Sequence, residues 1–354
     1  MIDPRLQRHA FSALLAAALF GASTPLAKLL LRETSPLMLA GLLYLGSGTG
    51  LLLLRIAAQR VAAPGAERAA RLQPSDYPWL AGAIACGGVA APALLMWGLA
   101  TTAAGAASLL LNFESVITAL IAAAIFREAV GGRVWFALAI MLAGGLLLSY
   151  DPGAALNLSP GALAIVAACG LWALDNNLTR RISAGDAVTI AMAKGLSAGA
   201  VNVALALAAG APAPEVLTVT GAMILGLASY GVSLVLFIHA LRHLGSARTG
   251  AHFSTAPFFG AGIAVPLLGE PATPAFIAAL ALMVAATWLI LTESHEHEHA
   301  HEVLAHSHEH RQDEHHHHAH DGSEGPEPHT HFHVHPPLTH AHPHLPDIHH
   351  RHEH

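Results

Sequence analysis

Residues 128–149 read EAVGGRVWFALAIMLAGGLLLS, and residues 270–291 read EPATPAFIAALALMVAATWLIL. Laid over each other without a gap, at an offset of 142, they share Glu128/Glu270, Ala137/Ala279, Leu138/Leu280, Ala139/Ala281, Met141/Met283, Ala143/Ala285 and Leu147/Leu289. Ala and Leu coincide often by chance in so apolar a chain, so the glutamates and methionines carry most of the signal. A second pairing, at an offset of 149, sets Gly21 on Gly170, Leu29 on Leu178 and Arg32 on Arg181. The chain repeats itself, and each repeat ends on an apolar stretch headed by a glutamate.

Working outward from these stretches, the remaining chain divides in the same way. A membrane helix needs about 20 mostly apolar residues to cross ~30 Å of hydrocarbon. Ten stretches meet this requirement: 10–31, 36–54, 78–99, 104–126, 133–150, 160–178, 188–209, 216–241, 246–268 and 273–292. Pro, Gly and charged residues mark the joins, as in Thr34-Ser35-Pro36 and Ala211-Pro212-Ala213-Pro214. Prolines 25, 92, 257 and 266 lie within spans, where neighbouring helices can satisfy the freed carbonyls. The opening 1–24 could pass for a signal peptide, but further spans follow at once and it reads as an uncleaved first span. Each half holds five spans, an odd number, so the second half lies upside down relative to the first. The expected fold is an all-α integral membrane protein. Ten transmembrane helices form two inverted five-helix repeats, 1–150 and 151–293, followed by a disordered tail at 294–354.

Composition excludes a soluble enzyme. Hydrophobic residues make up 54% of the chain and charged ones 11%, well under the ~25% charged of soluble domains. Residues 1–293 carry 15 Lys and Arg against 12 Asp and Glu, while the tail carries 2 against 11. The net charge of −6 therefore belongs to the tail and implies no nucleic-acid partner. Cys86 and Cys169 sit in apolar runs and read as buried small hydrophobes without a disulfide framework. No phosphate-binding P-loop, GxSxG or HExxH motif occurs in the body, so neither ATP drive nor catalysis is expected, and no cofactor is required.

Basic loops stay cytoplasmic. Arg5, Arg8, Arg55, Arg60, Arg68, Arg71, Arg127, Arg133, Arg180, Arg181, Arg242 and Arg248 all fall on one side of the ten spans, and Arg32 alone on the other. Both termini are therefore expected in the cytoplasm of a bacterial cell, with the body multi-pass in its inner membrane. Glu128 then falls on the inner side and Glu270 on the outer. Inverted repeats of this kind are a transporter signature, with the substrate site between the halves near the midplane.

The elements Phe126-Arg127-Glu128 and Leu268-Gly269-Glu270, each closing a fourth span, resemble the EamA-type transporters of the drug/metabolite transporter superfamily. The runs Trp172–Arg180 and Leu241–Gly250 and the His-rich tail resemble one bacterial subgroup of it. The resemblance spans about residues 10–292 and implies a ten-helix secondary transporter of a small molecule. The tail departs from the superfamily's general pattern.

A charge at membrane depth costs a few kcal/mol, so each such residue calls for a reason. Glu114, with Asn112 beside it, sits mid-span and reaches neither surface; it is expected on the solute path, where a carboxyl can load and release a proton. Asp175, Asn176 and Asn177 offer a carboxylate and amides suited to a polar substrate, or serve as hydrogen-bond glue between helices. Asp175 with Lys194 reads either as part of an inner vestibule, together with His239 and His252, or as a structural ion pair. Lys28 lies near the outer end of the first span, where it lines the path or snorkels to headgroups. Proton coupling and simple facilitation both fit.

The tail holds 23 of the chain's 27 histidines. The spacing His-x-His recurs at His295, His297, His299 and His301, at His306, His308 and His310, and at His329, His331, His333 and His335, with a block at His315, His316, His317 and His318. Imidazoles in such chains suit Zn²⁺, Ni²⁺ or Co²⁺, and these ions are the expected partners of the tail. Two functions follow. One is a carrier of a small polar metabolite or drug-like solute, working by alternating access with an accessory tail. The other is a divalent-metal exporter, or a metal-sequestering or sensing membrane protein acting through the tail.

Overall fold

The computed structural model describes residues 4–61, 73–126, 132–150, 159–182, 186–237, 240, 252–291, 295–301, 304–310, 329–335 and 338–344. The chain forms two compact units, Met1–Thr292 and Glu293–His354.

The first unit is built of helices: α1 Pro4–Leu30, α2 Pro36–Val61, α3 Pro74–Thr101, α4 Ala104–Leu110, α5 Phe113–Phe126 and α6 Gly132–Ser149. The second repeat supplies α7 Pro160–Arg181, α8 Ala187–Ala208, α9 Val216–Phe237, α10 Ala256–Leu268 and α11 Pro274–Leu291. Helix occurs at each of the ten expected spans, the fourth being split into α4 and α5. Among the described residues, the helices α1, α2, α3, α7, α8 and α9 are individually long and apolar enough to cross a membrane, while α6, α10 and α11 contribute shorter apolar runs. The apolar surface faces outward as lipid contact requires: Phe11, Leu53, Phe136, Val216 and Leu217 are all exposed. Trp79, Trp97, Trp135 and Trp288 are exposed near helix ends, the interfacial position aromatic rings favour, whereas Trp172 is buried.

Packing follows the repeat. Helix α2 runs along α8, α6 along α11, and α4 meets α10. The contact of α1 with α10 has its counterpart in α7 with α5, and that of α3 with α7 in α9 with α1. Exchanging the halves thus maps each of these packings onto itself or onto another. The repeated methionines sit at the seam: Met141 on α6 and Met283 on α11 are both buried. A Cβ built on Gly144 of α6 would lie 3.2 Å from Met283 Cγ. With no hydrophobic drive between helices in lipid, close contact depends on small residues. On the α2–α8 seam, a Cβ on Gly48 would come within 2.5 Å of Leu196 N, and one on Gly199 within 2.5 Å of Leu45 N. At one end of the same seam, Arg55 pairs with Asp186 at 3.3 Å, and Asp186 caps α8 by accepting the Val188 N–H at 3.2 Å.

The helices also share their irregularities. Within α3, Ile84–Ala90 is wound as π-helix, and within α9 so is Leu227–Val232. The two stretches align at an offset of 143, with Ala85/Ala228, Gly88/Gly231 and Val89/Val232 identical. The fourth span breaks at Leu111-Asn112, between α4 and α5. Its counterpart breaks at Ser254-Thr255, just before α10.

The second unit contains β1 His295–His301, β2 Leu304–His310, β3 His329–His335 and β4 Leu338–His344. They pair as two antiparallel ladders, β1 with β4 and β2 with β3. No packed core is expected of this segment from its composition, and a lone two-stranded ladder is only marginally stable in water. The ladders are the period-two conformation that His-x-His alternation suits. His315–His318 lie outside the described residues.

Candidate functional site

A π turn leaves carbonyls without their usual partners four residues on, and such bulges recur at functional sites. In α3 these carbonyls are met from three other helices. The Tyr44 hydroxyl of α2 donates to Gly87 O at 2.8 Å, and Trp172 Nε1 of α7 donates to the same oxygen at 3.0 Å. Asn202 Nδ2 of α8 donates to Gly88 O at 3.2 Å. Gly87 is required for a further reason: a Cβ there would lie 1.9 Å from Asp175 Oδ2. The bulge therefore brings α3 backbone directly against the carboxylate of α7.

Asp175 and Asn176 are consecutive on a helix, so their side chains diverge by about 100°. Asp175 turns toward α8, where Lys194 Nζ donates to its two oxygens at 2.7 and 2.6 Å. Thr179, one turn on, donates to Asp175 Oδ1 at 3.0 Å. Asn176 turns toward α5, where its Nδ2 donates to Glu114 Oε1 at 2.8 Å. Glu114 stands in the first turn of α5, just past the break, where the N-terminal dipole favours negative charge. Asp175 is buried, Glu114 and Lys194 are half-buried and Asn176 is exposed. The result is two polar groups, Glu114–Asn176 and one in which Lys194 and Thr179 both donate to Asp175, carried on α5, α7 and α8.

Other expected site residues lie elsewhere in the hydrogen-bond network. Asn112 is buried and donates through Nδ2 to Leu109 O at 2.9 Å, satisfying the break between α4 and α5. Asn177 donates to Ala173 O of its own helix at 2.8 Å. Lys28 of α1 donates to the carbonyls of Leu99, Ala100 and Thr102 at the C-terminus of α3, the end that favours a cation. His252 precedes the second break, and its carbonyl accepts the Thr255 N–H at 3.2 Å. His239 lies outside the described residues.

Glu270, read in the sequence only as a mark of the repeat, has a contact of its own. Gly269 ends α10 in the left-handed conformation, at φ 65°. The Glu270 carboxylate then accepts the N–H groups of Ala104 at 2.6 Å and Gly105 at 2.8 Å, capping α4 from the other repeat. Glu128 lies outside the described residues. Tyr44, Trp172 and Gly87 also escaped notice as site residues; the internal match of the two π stretches is the signal that points to that region.

The aromatic side chains near the bulges form a run of ring contacts across α1, α2 and α9. Tyr44 and Tyr230 have centroids 5.5 Å apart, and Tyr230 meets Phe20 edge-on at 5.7 Å. Tyr230 belongs to the π stretch of α9, so both bulges border the same region.

Comparison with known proteins agrees with this architecture. The model of the EamA-like transporter family matches the chain twice, over residues 7–150 and 159–292. The chain is similar to an uncharacterized transporter of Methanothermobacter thermautotrophicus, 28% identical over 271 residues that span 73% of this chain and 79% of the relative. A solved crystal structure with a TM-score of 0.58 and 19% identity covers 79% of this chain and 95% of its own, a likeness of fold.

Proposed function

Because the chain belongs to the EamA-like transporter family, we propose that it carries a small polar metabolite or drug-like solute across the bacterial inner membrane by alternating access, with Glu114 as the coupling carboxyl. The observation that carries this reading is the Glu114–Asn176 hydrogen bond beside the Asp175–Lys194 ion pair. The titratable carboxyl of the first repeat meets an amide of the second, and the ion pair stands on the next residue, beside helices whose backbone is interrupted. Broken helices facing a polar site are how secondary transporters expose backbone groups and helix ends to a solute.

The cluster supports proton coupling through its accessibility and its partners. Glu114 is half-buried and its amide partner Asn176 is exposed, which supports access of a proton to the carboxyl. Protonation would remove the charge while keeping one oxygen as acceptor for Asn176. A solute with polar or charged groups then competes for Asn176, Asp175 and Lys194. The basic loops support an orientation with both termini in the cytoplasm.

The histidines of the tail favour a second reading, export or sensing of divalent metal. Full-length protein and a variant lacking residues 294–354 separate the two. Thermal-shift screening of both, in detergent, against metabolites and divalent metals identifies a solute; transport of it into proteoliposomes then follows. The carrier reading expects a metabolite hit and equal transport by both proteins. Loss of all transport with the tail, with metal as the sole hit, overturns it.

A further inference from the structure

The transport reading leaves the tail unused. Both of its ladders share one register. Strand β1 sets His295, His297 and His299 opposite His344, His342 and His340 of β4. Strand β2 sets His306, His308 and His310 opposite His333, His331 and His329 of β3. Every one of these rungs places histidine against histidine.

That match depends on a paired change of phase. Residues alternate between the faces of a strand, so histidines two apart share a face. The alternation shifts by one residue between β1 and β2, and again between β3 and β4. The common register keeps histidine opposite histidine on both sides of these shifts. A shift in one arm alone would have set histidine against Glu, Ala or Thr over half the length.

Opposed residues of an antiparallel pair have Cβ atoms about 4.5–5.5 Å apart. Two adjacent rungs of the same face therefore bring four histidine positions together in the backbone register, the number of ligands that tetrahedral zinc takes. Among the described residues each ladder has two strands, and a lone two-stranded ladder is only marginally stable in water. Where ligands converge only in the folded state, metal-binding free energy becomes folding free energy. Acidic residues outnumber basic ones in the tail, 11 to 2, so divalent cations also relieve its self-repulsion.

We infer that the tail is a metal-folded hairpin, in which Zn²⁺, Ni²⁺ or Co²⁺ bound by opposed histidine pairs closes β1 onto β4 and β2 onto β3. This does not rest on the transport reading. A flexible chelator would use any of its imidazoles in any combination; the hairpin uses them as cross-strand pairs.

The test uses full-length detergent-purified protein titrated with Zn²⁺ alone, by calorimetry and by hydrogen exchange of the tail amides. Three variants are compared with it: His297→Ala, His342→Ala and the double change. A fourth keeps the composition of both arms but gathers their histidines into contiguous runs. Helical circular dichroism confirms that the body of each is folded. The hairpin predicts amide protection in both arms on Zn²⁺ addition. Each single change should weaken the affected site about ten-fold, and the double change little more than either, as for coupled neighbours. The contiguous-run variant should lose the protection and bind at least about ten-fold more weakly. Additive losses at His297 and His342, equal affinity in the contiguous-run variant, binding without protection, or no binding each overturn the inference.

Discussion

Asn176 Nδ2 lies 2.8 Å from Glu114 Oε1, joining α7 to α5 through a donor that cannot titrate and an acceptor that can. The relationship places the titratable group on one side of the pair and the geometry on both.

Glu114→Gln keeps an oxygen in place to accept from Asn176 but removes the titrating group. The expected outcome is normal expression and a melting temperature close to the parent's, with loss of pH-driven accumulation in proteoliposomes. Glu114→Ala removes the acceptor of the exposed Asn176 amide and should lower stability as well, by about 0.5–1.5 kcal/mol. Unchanged pH-driven transport in Glu114→Gln would move the coupling role to Asp175.

The Asp175–Lys194 pair is largely shielded, with Nζ 2.7 and 2.6 Å from the two carboxylate oxygens. Removing one partner leaves the other charge uncompensated at depth. Asp175→Asn or Lys194→Met should each destabilise the protein by about 3–5 kcal/mol, and the double change by less than either alone. Thermal melts of the four proteins in one detergent measure the coupling. Additive losses would mean the two residues do not act as a pair.

Gly87 and Gly262 are both helical, and they predict opposite responses to a methyl group. A Cβ on Gly87 would lie 1.9 Å from Asp175 Oδ2, whereas one on Gly262 meets nothing within 4 Å. Gly87→Ala must push Asp175 off Lys194 or open the α3 bulge, and should lower the melting temperature and abolish transport. Gly262→Ala should melt at or slightly above the parent temperature, since alanine favours helix by up to about 1 kcal/mol. Equal tolerance at the two positions would show that the bulge does not hold α3 against Asp175.

Orientation has a direct test. In a background lacking Cys86 and Cys169, cysteines at Pro64 and Pro212 should label oppositely with an impermeant thiol reagent on intact cells. Pro212 should react and Pro64 should be protected. The reverse would place the tail outside and turn the reading of the loop charges over.

What could be read from the chain alone was what depends on local composition. Ten apolar stretches of spanning length mark the helices because lipid demands internally bonded backbone over a set thickness, and length and hydropathy record that demand residue by residue. The Glu128/Glu270 and Met141/Met283 matches exposed the repeat for a related reason: two copies of one fold place the same residue at the same seam, as Met141 and Met283 do between α6 and α11. Which polar residues meet was decided by tertiary structure. Asp175, Asn176 and Asn177 are neighbours in sequence, yet one pairs with Lys194, one with Glu114 and one with its own helix at Ala173. Lys28 goes to the carbonyl end of α3, and Glu270 to the amide end of α4. Helices that are apolar all round carry little record of which face meets which neighbour. The azimuth and depth that choose a partner come from packing, and here from the π turns of α3 and α9, which rotate one part of a helix against the rest.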